Sequence, residues 1–338
     1  MKKFLAIILC VFLAISMVAL AGCGEKPKTE EKPPVEETAT LKFGAGVYVS
    51  APAATDATDE KDGSGKVDVT VAAVTVDADG KIVACALDTM SNSVNFTADG
   101  KAIANDAFKT KYECGNDYNM VAYGGAAKEW FEQADAFEAV VAGKTLAEVK
   151  ALVAEGNKGV ADVVNAGCTI MIHEFVGAIE KAYNAAKDSE ATAADVLKVT
   201  AVTEQTCTDA TEDKDGSNKV ATNVFAAAVN AEGKVVAASS DCVEVSFTFD
   251  LQGVSTLDTT KEVLSKKEQG ANYGMVAYGG AAKEWFEQAA AFDAACIGKT
   301  ATEIVALQGN DGKGVADLQS AGCTIYVTGF VKAASKIG

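Results

Sequence analysis

The sequence predicts an α+β protein built from two tandem homologous domains, each a small, mainly antiparallel sheet packed with helices. The main observation is a repeat: YNMVAYGGAAKEWFEQADAF at 118–137 recurs as YGMVAYGGAAKEWFEQAAAF at 273–292. Within each copy, strand-like alternation precedes segments of helical periodicity, and this order favours helices packed on an antiparallel sheet. With 49% hydrophobic and 23% charged residues, the chain has the composition of a folded protein.

The repeat sets the predicted domain boundaries. Near the end of each copy, NAGCTIMI at 165–172 recurs as SAGCTIYV at 320–327. We therefore expect a first repeat over 41–190 and a second over 191–338, joined by a stretch of polar and small residues. Each unit has the length of an ordinary domain.

The N-terminus predicts secretion and a lipid anchor. A basic start, MKK, precedes an apolar run over 4–21, and the LAGC that closes this run resembles a lipobox. We expect a signal peptide over 1–22, lipid on Cys23, and a flexible tether over 23–40 that is rich in Glu, Lys, Pro and Thr. The folded part would then be held at the extracellular face of the cell membrane. A plain transmembrane anchor is the alternative, because 18 apolar residues approach the length that spans a bilayer.

The strands of the first repeat are predicted from period-two alternation. VDVTV at 67–71 and VTV at 74–76 alternate, and IVA at 82–84 continues beyond a turn. Asp79-Gly80 supplies that turn, since Asp-Gly between alternating runs is a strong hairpin signal.

Helices follow the hairpin. One is predicted from about 126 to 142, and capping boxes of the form T-x-x-E begin at Thr145 and Thr300. After these, 168–172 is expected to form a strand and 174–186 a last helix. The buried face of the first helix is expected to carry Trp130, Ala134, Phe137 and Val141.

Charge and residue usage exclude several functions. The chain has 47 acidic residues against 30 Lys, no Arg and a net charge of −17, which disfavours nucleic-acid binding. A single histidine, His173, cannot supply a multi-His metal centre or a Ser-His or Cys-His pair in both repeats, so we expect no metal and disfavour a hydrolase. Seven of the nine cysteines follow Cys23, and their pairing stays open.

Another block that the two copies retain surrounds a threonine. Small residues there let another group approach the backbone closely, and a Thr hydroxyl stands beside them. The alternative is purely structural: a turn that needs Gly, a buried Cys and a strand Thr. The retained residues are Asp162, Gly167, Cys168 and Thr169 in the first copy and Asp317, Gly322, Cys323 and Thr324 in the second.

This block resembles the FMN-binding domain, in which a flavin transferase joins the phosphate of FMN to the Thr hydroxyl. With its lipobox, tether and two copies, the chain is similar over most of 41–338 to the flavinylated surface lipoproteins of Gram-positive extracellular electron transfer. The resemblance implies covalent FMN on Thr169 and Thr324, with Asp162 and Asp317 recognised by the transferase. Here the Asp stands seven residues before the Thr, one more than in the family's usual pattern, and Cys replaces Ala.

Other residues are predicted to contact the cofactor. A glycine-rich helix start offers backbone N–H groups to a ligand oxygen, and a nearby tyrosine could stack on a flavin ring. Trp130 and Trp285 could also stack, but their place on an apolar helix face favours a role in the core. The predicted cofactor-binding set is Gly167, Cys168, Gly322 and Cys323 beside the threonines, and Tyr123, Gly124, Gly125, Tyr278, Gly279 and Gly280 at the expected helix starts.

Two functions are therefore weighed. The first is a surface lipoprotein that carries electrons on two covalent FMN groups, from a quinol-linked membrane donor to extracellular acceptors; it needs no substrate-transforming residues. The alternative is a non-redox surface lipoprotein with two ligand- or wall-binding modules, which requires no adduct at either Thr.

Overall fold

The computed structural model describes residues 39–338. The predicted signal peptide, Cys23 and most of the predicted tether lie outside the described residues. Across 39–338, no helix combines the length and apolar character needed to cross a membrane.

In both halves the main antiparallel strands come first and the helices follow, which confirms the predicted α+β class. The first half contains β1 (Lys42–Val49), β2 (Ala53–Thr55), β3 (Gly63–Val76), β4 (Ile82–Phe96), β5 (Ala102–Ile103), α1 (Lys111–Cys114), α2 (Trp130–Val141), α3 (Leu146–Lys150), α4 (Ala161–Ala166), α5 (His173–Ala185) and β6 (Lys187–Asp188). The second contains β7 (Val196–Thr208), β8 (Gly216–Val229), β9 (Val235–Phe249), α6 (Lys266–Gln269), α7 (Trp285–Cys296), α8 (Ala301–Val305), α9 (Ala316–Ser320) and α10 (Thr328–Ala334).

Each half builds one antiparallel sheet. The first has the strand order β5-β4-β3-β1-β6, with β2 on the side of β3, and the second has the order β7-β8-β9. The predicted hairpin is confirmed: Gly80 adopts a φ of 77° between β3 and β4. The segments 67–71 and 74–76 belong to one strand, β3, because its alternation continues through the Ala72-Ala73 pair.

The helices cover the outer face of each sheet. In α2 the four predicted core residues are all buried, as are the corresponding apolar residues of α7. Both predicted capping boxes are confirmed, with the Thr145 hydroxyl accepting from the Glu148 N–H and Thr300 from Glu303. The helix predicted from 174 begins at His173.

The inner faces of the two sheets pack against each other. In β3, Val67, Val69 and Val71 point toward the second sheet, while Val74 and Val76 point toward the helices. The arrangement is therefore four layers deep, with helices outside and two sheets inside. This explains why β3 is apolar on both faces.

The two halves meet in a reciprocal way, as in an isologous dimer. Lys181 pairs with Glu268 at 2.5 Å, and the corresponding Lys336 and Glu113 pair at the same distance. The backbone repeats this exchange, because the Ala57 N–H donates to Gly253 and the Ala210 N–H to Gly100, both at 2.8 Å.

On the pseudo-two-fold axis that relates the halves, one phenylalanine packs against the equivalent phenylalanine of the other half. Phe96 and Phe249 hold the same position in the two halves, and their rings stack with centroids 4.4 Å apart. Residues 39–338 are thus a pseudo-two-fold pair of repeats.

The structure differs from the sequence prediction in two places. The strand expected over 168–172 is wrong, since this segment is a turn between α4 and α5 with only a single bridge, from Lys158 to Met171. Strand β1 was not predicted, because Gly44 and Gly46 weaken its pattern. Those glycines let α5 pass close by: a Cβ at either position would overlap the backbone of Ala182.

Candidate functional site

The threonine shared by the two repeats follows, in each of them, a helix that ends in a Schellman motif. At the end of α4, the Gly167 N–H donates to Val164 at 3.0 Å and the Cys168 N–H donates to Val163 at 3.1 Å. Gly167 has a φ of 107°, which a residue with a Cβ rarely adopts. The second repeat forms the same motif with Gly322 and Cys323, so these small residues have a structural reason in both copies.

A buried glutamine holds the threonine. Gln133 on α2 accepts from the Thr169 N–H at 2.8 Å and from its hydroxyl at 3.0 Å. Gln288 accepts from the same two groups of Thr324, both at 2.9 Å. Both glutamines are 1% exposed, whereas both threonines are exposed. Each hydroxyl oxygen is therefore fixed at the surface with its proton directed inward.

The other residues of the KEWFEQ segment complete this support. Lys128 lies over Gly167 and points its ammonium at the Ala166 carbonyl, 3.5 Å away. The Glu129 carboxylate accepts from two N–H groups of the preceding loop, those of Met120 and Val121. Lys283 and Glu284 make the same contacts in the second repeat.

Sequence reasoning missed the glutamine and the lysine. The signal was present, because Gln133 stands on the buried face of α2 between Trp130 and Ala134. A polar side chain there must have a buried partner. That partner lies 36 residues ahead, outside any local pattern.

The predicted glycine-rich helix start is wrong. α2 begins at Trp130, and Gly124 and Gly125 lie in the exposed loop before it. The N–H groups of Tyr123 and Gly124 both donate to Asn119 within this loop. Gly125 closes the turn with a φ of 66°.

The second repeat places its loop in the same way. Tyr278 and Gly279 donate to Gly274, and Gly280 has a φ of 65°. The two loop tyrosines are 88% and 92% exposed, so neither packs beside a threonine.

The predicted recognition acids lie on the surface. Asp162 occupies the first turn of α4, and Asp317 occupies the first turn of α9. In each repeat the rest of the helix and the glycine turn separate the carboxylate from the threonine. The additional residue in the Asp-to-Thr spacing thus falls within a helix-and-cap segment that both copies share.

A pocket of about 520 Å³ opens beside Thr324. Its aromatic wall comes from four side chains contributed by three separate segments of the repeat. Of the site residues predicted in the second repeat, Thr324 is the one that lines this pocket. The aromatic residues are Tyr273, Trp285, Tyr326 and Phe330.

Two lysines, Lys266 and Lys313, and two carboxylates, Glu204 and Glu244, line the pocket. The Lys266 ammonium lies 4.9 Å from the Tyr273 ring centroid and 5.5 Å from that of Trp285. It also pairs with Glu244 at 3.1 Å. Lys313 lies over the Tyr326 ring at 5.7 Å. A cleft of this volume with four aromatic side chains and a few fixed charges has the character of a small-molecule site.

Within residues 39–338, the hydrogen-bond partner of each threonine hydroxyl is a glutamine side chain. Gln288 is a neutral amide and cannot accept a proton as a base. Burial raises the pKa of the Cys168 and Cys323 thiols to about 11, so both are protonated at neutral pH. All seven cysteines within the described residues are free thiols.

Three carboxyl groups, those of Asp88, Glu113 and Glu138, line a second cavity, of about 350 Å³, between the repeats. Burial raises the pKa of Asp88 to about 7 and, with the nearby Asp135 charge, that of Glu138 to about 8. Glu138 accepts from the Leu87 N–H at 2.6 Å. In the second repeat the corresponding Asp293 pairs instead with Lys267, at 3.2 Å.

Comparison with known proteins gives no relative: the chain matches no family model, no curated protein and no solved structure. The site is therefore interpreted from its own geometry.

Proposed function

We propose that this protein is a surface electron carrier that holds FMN covalently on Thr169 and Thr324. Lipid on Cys23 would keep it at the extracellular face of the membrane. Electrons would pass from a quinol-linked membrane donor to extracellular acceptors. The flavin supplies the redox chemistry, while the chain supplies attachment and surroundings.

The observation that carries this proposal is the matched presentation of two threonines. Both repeats hold an exposed hydroxyl with the same buried glutamine, the same glycine cap and the same lysine. A structural turn needs the glycine but does not need an exposed hydroxyl fixed by a buried amide. Retention of this whole arrangement supports a role for the hydroxyl oxygen itself.

The residues beside Thr324 fit a flavin. Aromatic side chains suit a planar ring, and Lys266 and Lys313 suit its carbonyl oxygens and a phosphate. Lys283, whose ammonium lies near Gly322, adds positive charge at the turn that precedes the attachment threonine. Because a phosphoester keeps the cofactor bound, the chain needs no Arg clamp.

The attachment requires a partner enzyme. A phosphoester forms when Thr Oγ attacks the phosphorus of an activated flavin nucleotide anhydride. The anhydride P–O bond breaks, its other nucleotide leaves, and the hydroxyl proton is released. Since neither repeat places a base at its threonine, a flavin transferase must supply that base. The chain keeps the product in place through the Thr N–H bond to glutamine, which does not need the hydroxyl proton.

Intact-protein mass spectrometry tests the proposal. The secreted protein, co-expressed with a flavin transferase, is expected to carry two FMN adducts and to stay yellow after denaturation. Thr169→Ala and Thr324→Ala should each remove one adduct, and the double variant should remove both.

Thr328→Ala is the matched control, because Thr328 also lines the pocket but is not a predicted attachment residue. It should retain both adducts. Bare threonines in protein from the native cell envelope would rule out the carrier and leave the alternative of two binding modules.

A further inference from the structure

We propose that the two repeats are not equivalent toward the flavin: a ring enters the pocket of the second repeat, whereas side chains of the first repeat close the corresponding pocket. This inference rests on the proposed function and concerns what surrounds each attachment threonine. It would make the Thr324 flavin a buried group and the Thr169 flavin a surface group.

Strand register identifies the corresponding residues. Val47 pairs with Val71 in the first sheet, and Ala201 pairs with Val224 in the second. Tyr48 follows Val47 on β1, and Val202 follows Ala201 on β7. Tyr48 and Val202 therefore occupy equivalent positions. On the helix that follows the threonine, the first repeat has Glu174 where the second has Gly329.

Glu174 adds a side chain at the position where the second repeat has Gly329. Its carboxylate accepts from the Thr70 hydroxyl at 3.4 Å, which joins α5 to β3 across the site. Thr70 in turn bonds the buried Thr89 hydroxyl at 2.9 Å. In the second repeat, the Asn223 side chain packs over Gly329 so closely that a Cβ there would overlap it.

Tyr48 closes a second side. Its ring lies against α5 where Gly177 provides room, since a Cβ at that position would overlap the ring. It also meets the edge of the His173 ring, with centroids 6.2 Å apart. The second repeat has Val202 and Thr328 at the positions of Tyr48 and His173, and both are smaller.

The lysine of each pocket has a different neighbour as well. Lys111 of the first repeat pairs with Asp68 at 2.9 Å and is largely buried. The residue equivalent to Asp68 in the second repeat is Ala221, and Lys266, whose side chain is equally buried, pairs instead with Glu244 at 3.1 Å. Each repeat thus pairs its lysine with an acid from a different position, and in the second repeat both members of the pair line the pocket.

Single-attachment variants test the inference, and each leaves the surroundings of the remaining attachment threonine unaltered. Thr169→Ala leaves flavin only on Thr324, and Thr324→Ala leaves it only on Thr169. We expect the Thr324 flavin to be several-fold dimmer, because aromatic rings quench it, and several-fold less accessible to iodide. Equal emission and equal iodide quenching would overturn the inference even if mass spectrometry finds both adducts.

Exchange of the closing residues provides a second test. Tyr48→Val with Glu174→Gly, in the Thr324→Ala background, should make the Thr169 flavin dimmer and protect it from iodide. Asn223→Thr with Gly329→Glu, in the Thr169→Ala background, should expose the Thr324 flavin. Circular dichroism verifies that each variant is folded. If neither exchange changes the extent of iodide quenching, Tyr48 and Glu174 do not close the site of the first repeat.

A titration of protein that carries no covalent flavin separates this inference from the proposed function. Each repeat has one tryptophan, so lumiflavin, a ring without phosphate, can be titrated into unmodified protein. It should quench Trp285 in the Trp130→Phe variant several-fold more than Trp130 in the Trp285→Phe variant. Equal quenching, or none, overturns the inference whether or not the threonines carry flavin.

Discussion

The two repeats share the support of the threonine and differ in what lies beside it. Gln133 and Gln288 hold their threonines with nearly the same distances. Beside Thr324 a pocket of about 520 Å³ is open, whereas Glu174 and its partners occupy the matching region of the first repeat. The comparison teaches that the hydrogen bonds presenting a residue can persist while its surroundings change.

The largest expected effect tests the shared architecture. Phe96→Ala and Phe249→Ala should each lower the free energy of unfolding by about 3–5 kcal/mol, since each empties a fully buried ring site. The two losses should be equal, because the residues are counterparts. Urea denaturation measures them.

The double variant sharpens this prediction. Since the two rings stack on each other, its loss should be smaller than the sum of the single losses. Strict additivity would mean that the rings do not stabilise each other.

Local patterns predicted the parts of the fold that depend on near neighbours. The Asp79-Gly80 hairpin and the buried face of α2 follow from spacing alone. The strand expected over 168–172 failed because its β-branched and apolar residues form a turn fixed by the Gly167 cap. The pocket beside Thr324 could not be predicted from local patterns, because its walls come from segments far apart in the chain.

The second expected effect tests a difference between the repeats. Asp88 and Glu138 have raised pKa values in the folded protein, about 7 and about 8, so the folded state holds protons that the unfolded state releases above about pH 4. Their stabilising contribution is complete below that pH and is lost as the pH rises through 7 and 8. The free energy of unfolding should fall by up to about 1.4 kcal/mol per pH unit for each group.

Glu138→Gln should flatten this pH dependence, because an amide oxygen can still accept from Leu87 without titrating. Urea unfolding at pH 5 to 9 measures the slope. The matched variant of the second repeat, Asp293→Asn, should lower stability at neutral pH, because Lys267 loses its partner. An unchanged slope in Glu138→Gln would contradict the assignment.

The smallest expected effect tests what the repeats share at the site. Gln133→Leu and Gln288→Leu should each cost about 1 kcal/mol, since an exposed Thr N–H can bond water in place of the amide. The two costs should match within error in urea denaturation. A loss confined to one repeat would show that the common support differs in strength.

The reciprocal packing of Phe96 against Phe249 has a consequence for how the halves can diverge. In a dimer of identical chains, every substitution appears twice and is felt on both sides of the axis. Fusion into one polypeptide lifts that constraint at the outer rims, where one half can acquire Glu174 while the other keeps Gly329. On the axis itself Phe96 and Phe249 still contact each other, so substitutions at these two positions must remain correlated. Fusion of the copies therefore permits the two sites to specialise while the packing between the two halves is kept.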